Sequence, residues 1–202
     1  MYMERGFKIM DINSKIIPEN VVESMKSYYT DFDKIHLDSL HLVKPRTSVL
    51  SCGCGYGRET KELENMGCKV IGIDCNRIAI EECRSKTKDV EYVLDDMITY
   101  SNDLKFDYIV CLWNSINILP LEDKKKFIDN CYNNLKERGK LIITTQHKFS
   151  SLRQYLKTLF QGELQRIYYP NRNQFKKWFE GTKFKFSEEN KDKGVVLIIA
   201  IK

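Results

Sequence analysis

The residues with the clearest chemical potential are three glycines that follow a short apolar run. The run covers residues 49–52, and the glycines are Gly53, Gly55 and Gly57. The pattern predicts a buried strand and a sharp turn, because glycine lets the backbone bend and lets a ligand approach it closely. A helix that begins after such a turn offers backbone N–H groups to polar or anionic parts of a ligand. Tight turns also use glycine for structural reasons alone, so this pattern needs a second observation.

The second observation is an acid at the end of the next predicted strand. Asp74 ends the apolar segment 69–74 and lies 21 positions after Gly53. In nucleotide-binding folds an acid at about this distance accepts hydrogen bonds from a ribose. The intervening residues have helical composition, and Gly67 predicts the end of that helix. The order strand, glycine turn, helix and acid-ending strand therefore predicts a nucleoside-binding unit in a parallel sheet.

These motifs resemble those of class I S-adenosylmethionine (SAM)-dependent methyltransferases. The three glycines match the family's Gly-x-Gly-x-Gly motif, and Asp74 matches its ribose-binding acid. Asp96-Met97 resembles the third motif, whose acid contacts the adenine amine and whose next backbone amide contacts the ring. Residues 106–112 and 135–144 resemble the fourth and fifth strands. The resemblance covers roughly residues 47–145 and implies SAM as the cofactor.

The resemblance also implies a set of cofactor-binding residues along these motifs. They are Ser51, Gly53, Cys54, Gly55, Gly57, Asp74, Cys75, Asp95, Asp96, Met97 and Leu112. Ser51 departs from the family, which usually has Asp or Glu there to help hold the ammonium of the methionyl part. Serine accepts a hydrogen bond but carries no charge. Three alternatives stay open: weaker cofactor affinity, another acid in its place, or a catalytically inactive member of the family.

Dinucleotide reductases share the glycine turn and are the competing class. Their glycines usually follow Gly-x-Gly-x-x-Gly, whereas this chain has Gly-x-Gly-x-Gly. No Tyr-x-x-x-Lys pair lies in a position suited to hydride chemistry, and the chain ends in a predicted antiparallel hairpin that SAM methyltransferases have. The methyltransferase interpretation is therefore favoured.

The composition is that of one soluble enzyme domain. The 202 residues are 42% hydrophobic and 30% charged, which suffices for a substantial core. There is no run of about 18 apolar residues and no apolar signal core near residue 1, so a cytoplasmic protein without a membrane span is expected. The seven cysteines are odd in number and include no Cys-x-x-Cys pair, so neither zinc nor a complete disulfide set is favoured.

Alternating strands and helices predict an α/β fold, a Rossmann-like three-layer sandwich with helices on both faces of a mostly parallel sheet. The family resemblance implies seven strands in the order 3-2-1-4-5-7-6, with an antiparallel last strand. We expect a single domain over 1–202, with a helical cap over 1–44 and a lid insertion over 146–170. The last two strands are predicted at 183–188 and 195–201.

The acceptor site is predicted at the rim that follows the fourth strand. Trp113 and Asn114 begin a segment that resembles the Asn-Ser-rich turn of small-molecule N- and O-methyltransferases, while the Asn/Asp-Pro-Pro-aromatic motif of base-amine methyltransferases is missing. Alternatively, Asn114 and Ser115 simply cap the next helix. Tyr28 from the cap and Tyr155 from the lid are the further candidate acceptor-site residues.

His147, just past the fifth strand, is the candidate general base, because histidine titrates near neutral pH. A polar loop role is its alternative, since alignment of the reactants can supply most of the acceleration in methyl transfer.

Residues 151–202 hold 11 Lys and Arg against 5 Asp and Glu. A small-molecule acceptor is predicted, and RNA, a peptide or protein substrate, or SAM binding without catalysis are the alternatives.

Overall fold

The computed structural model describes residues 36–113, 115–146, 172–191 and 195–202. Within them, seven strands form one sheet in the order β3-β2-β1-β4-β5-β7-β6. Strand β7 runs antiparallel to both of its neighbours, and the other pairs are parallel. The predicted strand order and the predicted antiparallel last strand are confirmed. The strands are β1 (Ser48–Cys52), β2 (Lys69–Asp74), β3 (Glu91–Leu94), β4 (Phe106–Cys111), β5 (Leu135–Gln146), β6 (Lys185–Asn190) and β7 (Val195–Ile201).

In the described part of the chain, four α-helices and two 3-10 turns precede or connect the strands. They are α1 (Arg58–Asn65), α2 (Arg77–Lys86), α3 (Leu121–Asn134) and α4 (Arg172–Trp178), with 3-10 turns at Ser39–Leu42 and Ser115–Ile118. Asn76 caps α2 by accepting hydrogen bonds from the backbone N–H groups of Ile78 and Ala79. Gly67, at φ 74°, follows α1 in the left-handed conformation that glycine adopts most easily.

Alternate residues of the central strands point to opposite faces of the sheet and build two cores. Val49 belongs to a core with Leu63 of α1 and Ile80 of α2. Leu50, the next residue, belongs to the other core with Phe127 of α3. The sheet is therefore covered by helices on both faces, which confirms the three-layer arrangement.

Element ends differ from the sequence prediction by a few residues. Strand β6 begins at Lys185, not at residue 183, and β5 continues to Gln146 between its two partners β4 and β7. Five of the seven cysteines are buried, as expected for cysteine acting as a small apolar residue: Cys52, Cys54, Cys83, Cys111 and Cys131. Within the described ranges, no helix has the length and apolar character needed to cross a membrane.

Candidate functional site

The candidate site lies where the carboxyl ends of β1, β2 and β4 meet. The strand order reverses between β1 and β4, and ligands of open α/β sheets bind in the crevice at such a switch point. Gly53 directly follows β1, Asp74 ends β2, and Trp113 follows β4. The topology therefore brings the glycine turn, the predicted ribose acid and the predicted acceptor rim to one edge of the sheet.

The glycine turn is held by hydrogen bonds inside the protein. The N–H groups of Gly53 and Cys54 donate to the carbonyl oxygen of Ile73 at 2.9 and 3.0 Å. The N–H of Gly55 donates to Asp74 Oδ2 at 2.8 Å. These three turn amides are therefore used within the fold, which leaves the carboxylates around the turn as candidate groups for a polar ligand.

Gly53 and Gly55 both have a positive φ, but their surroundings differ. A Cβ on Gly53, at φ 70°, would lie 2.7 Å from the Ser115 side chain, so glycine is required there by packing. A Cβ on Gly55, at φ 50°, would meet no atom of the described residues within 4 Å. The backbone at Gly55 is therefore open on the side where a ligand can approach it.

Asp74 is oriented by backbone groups on both sides. Its Oδ1 accepts from the N–H of Asn76 at 2.8 Å while its Oδ2 accepts from Gly55. Burial raises the pKa of the Asp74 carboxyl, although these backbone hydrogen bonds oppose the shift by favouring the charged form. A carboxylate accepts about four hydrogen bonds, so each oxygen retains capacity for a ribose hydroxyl.

The third predicted motif forms the loop beside Asp74. The N–H of Asp95 donates to the carbonyl oxygen of Asp74 at 3.2 Å, which joins the ends of β2 and β3. Asp96 Oδ1 accepts from the N–H of Ile98 at 2.8 Å, so part of this carboxyl holds its own turn. Met97 is buried beneath the loop. The loop is positioned next to the predicted ribose site.

Ser51 is hydrogen-bonded to an acid that the sequence analysis did not single out. Its Oγ donates to Glu59 Oε1 at 2.6 Å, and Glu59 Oε2 accepts from Trp113 Nε1 at 3.2 Å. Glu59 lies in the first turn of α1 and is only 2% exposed. Burial raises the pKa of Glu59, and the hydrogen bonds from Ser51, its own backbone N–H and Trp113 oppose that shift. A carboxylate thus lies at the end of β1 even though the strand itself carries serine.

Trp113 is the centre of a second group of side chains at this edge. Its backbone is left-handed, at φ 59°, a conformation that bulky residues rarely adopt. The indole ring lies 4.6 Å from the His36 ring centroid and 4.2 Å from the Arg58 guanidinium carbon. His36 Nδ1 and the N–H of Trp113 both contact Thr144 Oγ1, at 2.6 and 3.3 Å. Burial lowers the pKa of His36 to about 4, so its ring is neutral at physiological pH.

The remaining predicted residues occupy different positions around the turn. Cys54 and Leu112 are buried, so their side chains belong to the core, whereas Cys75 is exposed. Ser115 Oγ donates to the carbonyl oxygen of Gly53 at 3.2 Å and so braces the glycine turn. His147, Tyr28, Asn114 and Tyr155 lie outside the described residues.

Sequence reasoning missed both Glu59 and His36. An acid in the first turn of a helix is a visible signal, but its usual interpretation is favourable interaction with the helix dipole. His36 lies 108 positions from Thr144 along the chain, so no local pattern indicates their contact.

Comparison with known proteins finds a matching family model and a set of curated relatives. Residues 49–139 match the family model described as a methyltransferase domain. The carboxy-S-adenosyl-L-methionine synthase of Enterobacter sp. (strain 638) is 23% identical over 146 residues, which are 67% of this chain and 58% of that protein. The chain thus spans less than two thirds of the length of the curated relatives it matches.

Two solved structures illustrate the likeness in fold. The TehB-like SAM-dependent methyltransferase from Corynebacterium glutamicum superposes with a TM-score of 0.69 at 16% identity, covering 91% of this chain and 97% of that one. The N-methyltransferase NodS from Bradyrhizobium japonicum WM9, in complex with S-adenosyl-L-homocysteine, gives a TM-score of 0.67 at 16% identity. That match covers 88% of this chain and 90% of NodS.

Proposed function

We propose that this chain is a class I SAM-dependent methyltransferase, as its matched methyltransferase domain and its fold suggest, and that it transfers a methyl group from SAM to a nitrogen or oxygen nucleophile of a small-molecule acceptor. The observation that carries the proposal is the arrangement of Asp74 beside the open backbone of Gly55 at the switch point of the sheet. The proposal of a nitrogen acceptor draws on NodS, an N-methyltransferase whose fold this chain resembles.

The residues around the glycine turn fit the cofactor. Asp74 has acceptor capacity for two ribose hydroxyls, and the space beside Gly55 suits a ligand that passes close to the backbone. When bound, SAM supplies a methyl group on a positively charged sulfur, which is already a good leaving group. The contribution of the protein is then to bind the cofactor, to align the acceptor and to exclude water.

The acceptor side of the proposal rests on Trp113 and on segments outside the described residues. Trp113 lies at the carboxyl edge, and its strained backbone is of the kind found at functional sites. We propose that Asn114, Tyr28 and Tyr155 complete the acceptor pocket and that His147 takes the proton from the nucleophile. In this proposal residues 1–44 form a cap and residues 146–170 form a lid over the pocket of a single domain.

The experiment is methyl transfer from labelled SAM to a panel of small amines, phenols and carboxylic acids. We expect label in one class of acceptor, and heat stabilisation of the protein by millimolar SAM through mass action. Asp74→Ala is the control and should reduce both effects. No thermal shift with SAM, together with a shift by a nicotinamide dinucleotide, would contradict the proposal.

A second candidate is suggested by the names of the curated relatives, which are carboxy-S-adenosyl-L-methionine synthases. In that case SAM itself would be the molecule that is modified. The mass of the nucleoside product separates the two, because methyl transfer releases S-adenosylhomocysteine whereas the synthase reaction gives a heavier, carboxylated SAM.

If RNA is the acceptor instead, binding of the protein to RNA should weaken steeply with salt, because phosphate contacts release counterions.

A further inference from the structure

We propose that Glu59, carried on α1, takes the place of the acid missing from β1 and binds the ammonium group of the methionyl part of SAM, with Ser51 and Trp113 as its positioning residues. This inference rests on the proposed function. It adds a binding residue that lies outside the glycine and Asp74 motifs.

The first argument is position. Ser51 stands where the family usually has an acid at the end of β1, and its Oγ lies 2.6 Å from Glu59 Oε1. An aspartate at position 51 would extend one bond beyond the serine oxygen, towards the place that Glu59 Oε1 now occupies. The helix therefore delivers a carboxylate to the region that a strand acid would reach.

The second argument is charge. Glu59 is almost fully buried, and the donors that hold its carboxylate are neutral: the Ser51 hydroxyl, the Trp113 indole N–H and its own backbone N–H. Among the residues the structure describes, no Lys, Arg or His nitrogen forms an ion pair with this carboxylate. The Arg58 guanidinium, its neighbour in sequence, lies over the Trp113 ring, and its charge favours the charged form of Glu59 through space.

A buried carboxylate without a paired cation costs free energy, which a neutral glutamine at the same place would avoid. A bound ammonium would add a positive charge in direct contact with the carboxylate, in addition to the through-space effect of Arg58. The carboxylate also keeps acceptor capacity for it, because a carboxylate accepts about four hydrogen bonds and the described residues supply three donors.

The third argument is the relation of Glu59 to the rest of the site. Burial raises the pKa of the Cys54 thiol, and the charges of both Glu59 and Asp74 add to that shift. Hydrogen bonds also place the two carboxylates on either side of the turn, because Glu59 contacts Ser51 just before it and Asp74 contacts Gly55 within it. A ligand with ribose hydroxyls at one end and an ammonium at the other could reach both acids across the open backbone of Gly55.

Calorimetric binding of two ligands to Glu59→Gln tests the inference without any activity measurement. S-adenosylhomocysteine carries the ammonium, whereas 5′-methylthioadenosine has the same nucleoside and thioether but lacks the amino acid part. The glutamine amide can donate to Ser51 Oγ while its oxygen accepts from Trp113 Nε1, so the local hydrogen bonds can be kept.

We expect Glu59→Gln to weaken S-adenosylhomocysteine binding by about 10- to 100-fold, the range for a charge-assisted hydrogen bond, and to change methylthioadenosine binding by less than about twofold. Glu62→Gln, an exposed acid on the same helix, is the matched control and should change neither affinity. Glu59→Asp, which keeps the charge but shortens the side chain, should show a smaller loss that is again confined to S-adenosylhomocysteine.

Unchanged affinity of Glu59→Gln for S-adenosylhomocysteine, or an equal loss for both ligands, would overturn the inference, since the first excludes contact and the second indicates a structural role. If Glu59→Gln does not fold, as judged by circular dichroism, the same two outcomes in Glu59→Asp decide. Failure of the wild-type protein to bind either ligand would overturn the proposed function together with this inference. Normal wild-type binding with an unaffected variant would overturn this inference alone.

Discussion

Protonation of His36 should destabilise the folded protein as the pH falls. The side chain is fully buried between Thr144 and Trp113, and burial lowers its pKa from 6.5 to about 4. Because the folded-state pKa lies below the unfolded value, the unfolded state binds more protons between these two pH values. The contribution to stability is therefore fully present above pH 6.5 and is lost as the pH falls through that window.

The magnitude follows from the size of the shift. One pKa unit corresponds to about 1.4 kcal/mol, so the loss between pH 7.5 and pH 4 is about 3 kcal/mol. That is a large part of the total stability of an ordinary domain. The Arg58 guanidinium on the same Trp113 ring means that a protonated His36 would also face a like charge in this cluster.

Urea unfolding of the wild type and of His36→Asn at the two pH values measures the effect. Asparagine can retain the hydrogen bond to Thr144 but does not titrate, so the stability difference between the two proteins should shrink by about 3 kcal/mol at pH 4. His41→Asn, at an exposed position in the same segment, is the control and should follow the wild type. The reasoning would be refuted if the difference in free energy of unfolding between the wild type and His36→Asn were the same at both pH values within about 0.5 kcal/mol.

Two further predictions concern the glycine turn. Gly53→Ala and Gly55→Ala should separate folding from binding, because both require a positive φ that costs about 1 kcal/mol for alanine, but only Gly53 lacks room for a Cβ. Urea unfolding should show the larger loss of folding stability for Gly53→Ala. Calorimetry with S-adenosylhomocysteine should show for Gly55→Ala the larger loss of affinity compared with its loss of stability. The reverse order would contradict this account of the turn. Asp74→Asn should weaken the same binding by roughly 1–3 kcal/mol, because its amide would oppose a backbone N–H and remove a ribose acceptor. Unchanged calorimetric affinity in the folded variant would mean that the ribose lies elsewhere.

The fold could be predicted because each element has a local signal. The central strands are short apolar runs bounded by polar residues, and the helices between them fix a parallel sheet. Element ends were less predictable. Helix α3 begins at Leu121, directly after Pro120, and the acids Glu122 and Asp123 stabilise its first turn. Strand β6 begins late because residues 183–186 alternate lysine with phenylalanine, and that alternation does not fix where pairing starts.

Residues of the candidate site were predictable only where their proximity follows from the order of neighbouring elements along the chain. Gly55 and Asp74 lie at the ends of adjacent strands, so their proximity follows from the order of elements. The contact between Ser51 and Glu59 depends on which face of α1 turns towards β1, and the glycine turn between them sets that rotation. His36 reaches Thr144 and Trp113 only once the whole sheet has formed.

Ser51 and Glu59 are best understood as one unit. An acid at both positions would bring two carboxylates into direct contact, because Ser51 Oγ already lies 2.6 Å from Glu59 Oε1, and two like charges so close cannot both ionise in a buried site. A serine at the strand end is therefore the natural companion of a glutamate on the helix: it donates a hydrogen bond to the acid and adds no competing charge. If Glu59 binds the ammonium as proposed, serine at position 51 is compatible with an active protein, because the helix then supplies the negative charge that the strand lacks.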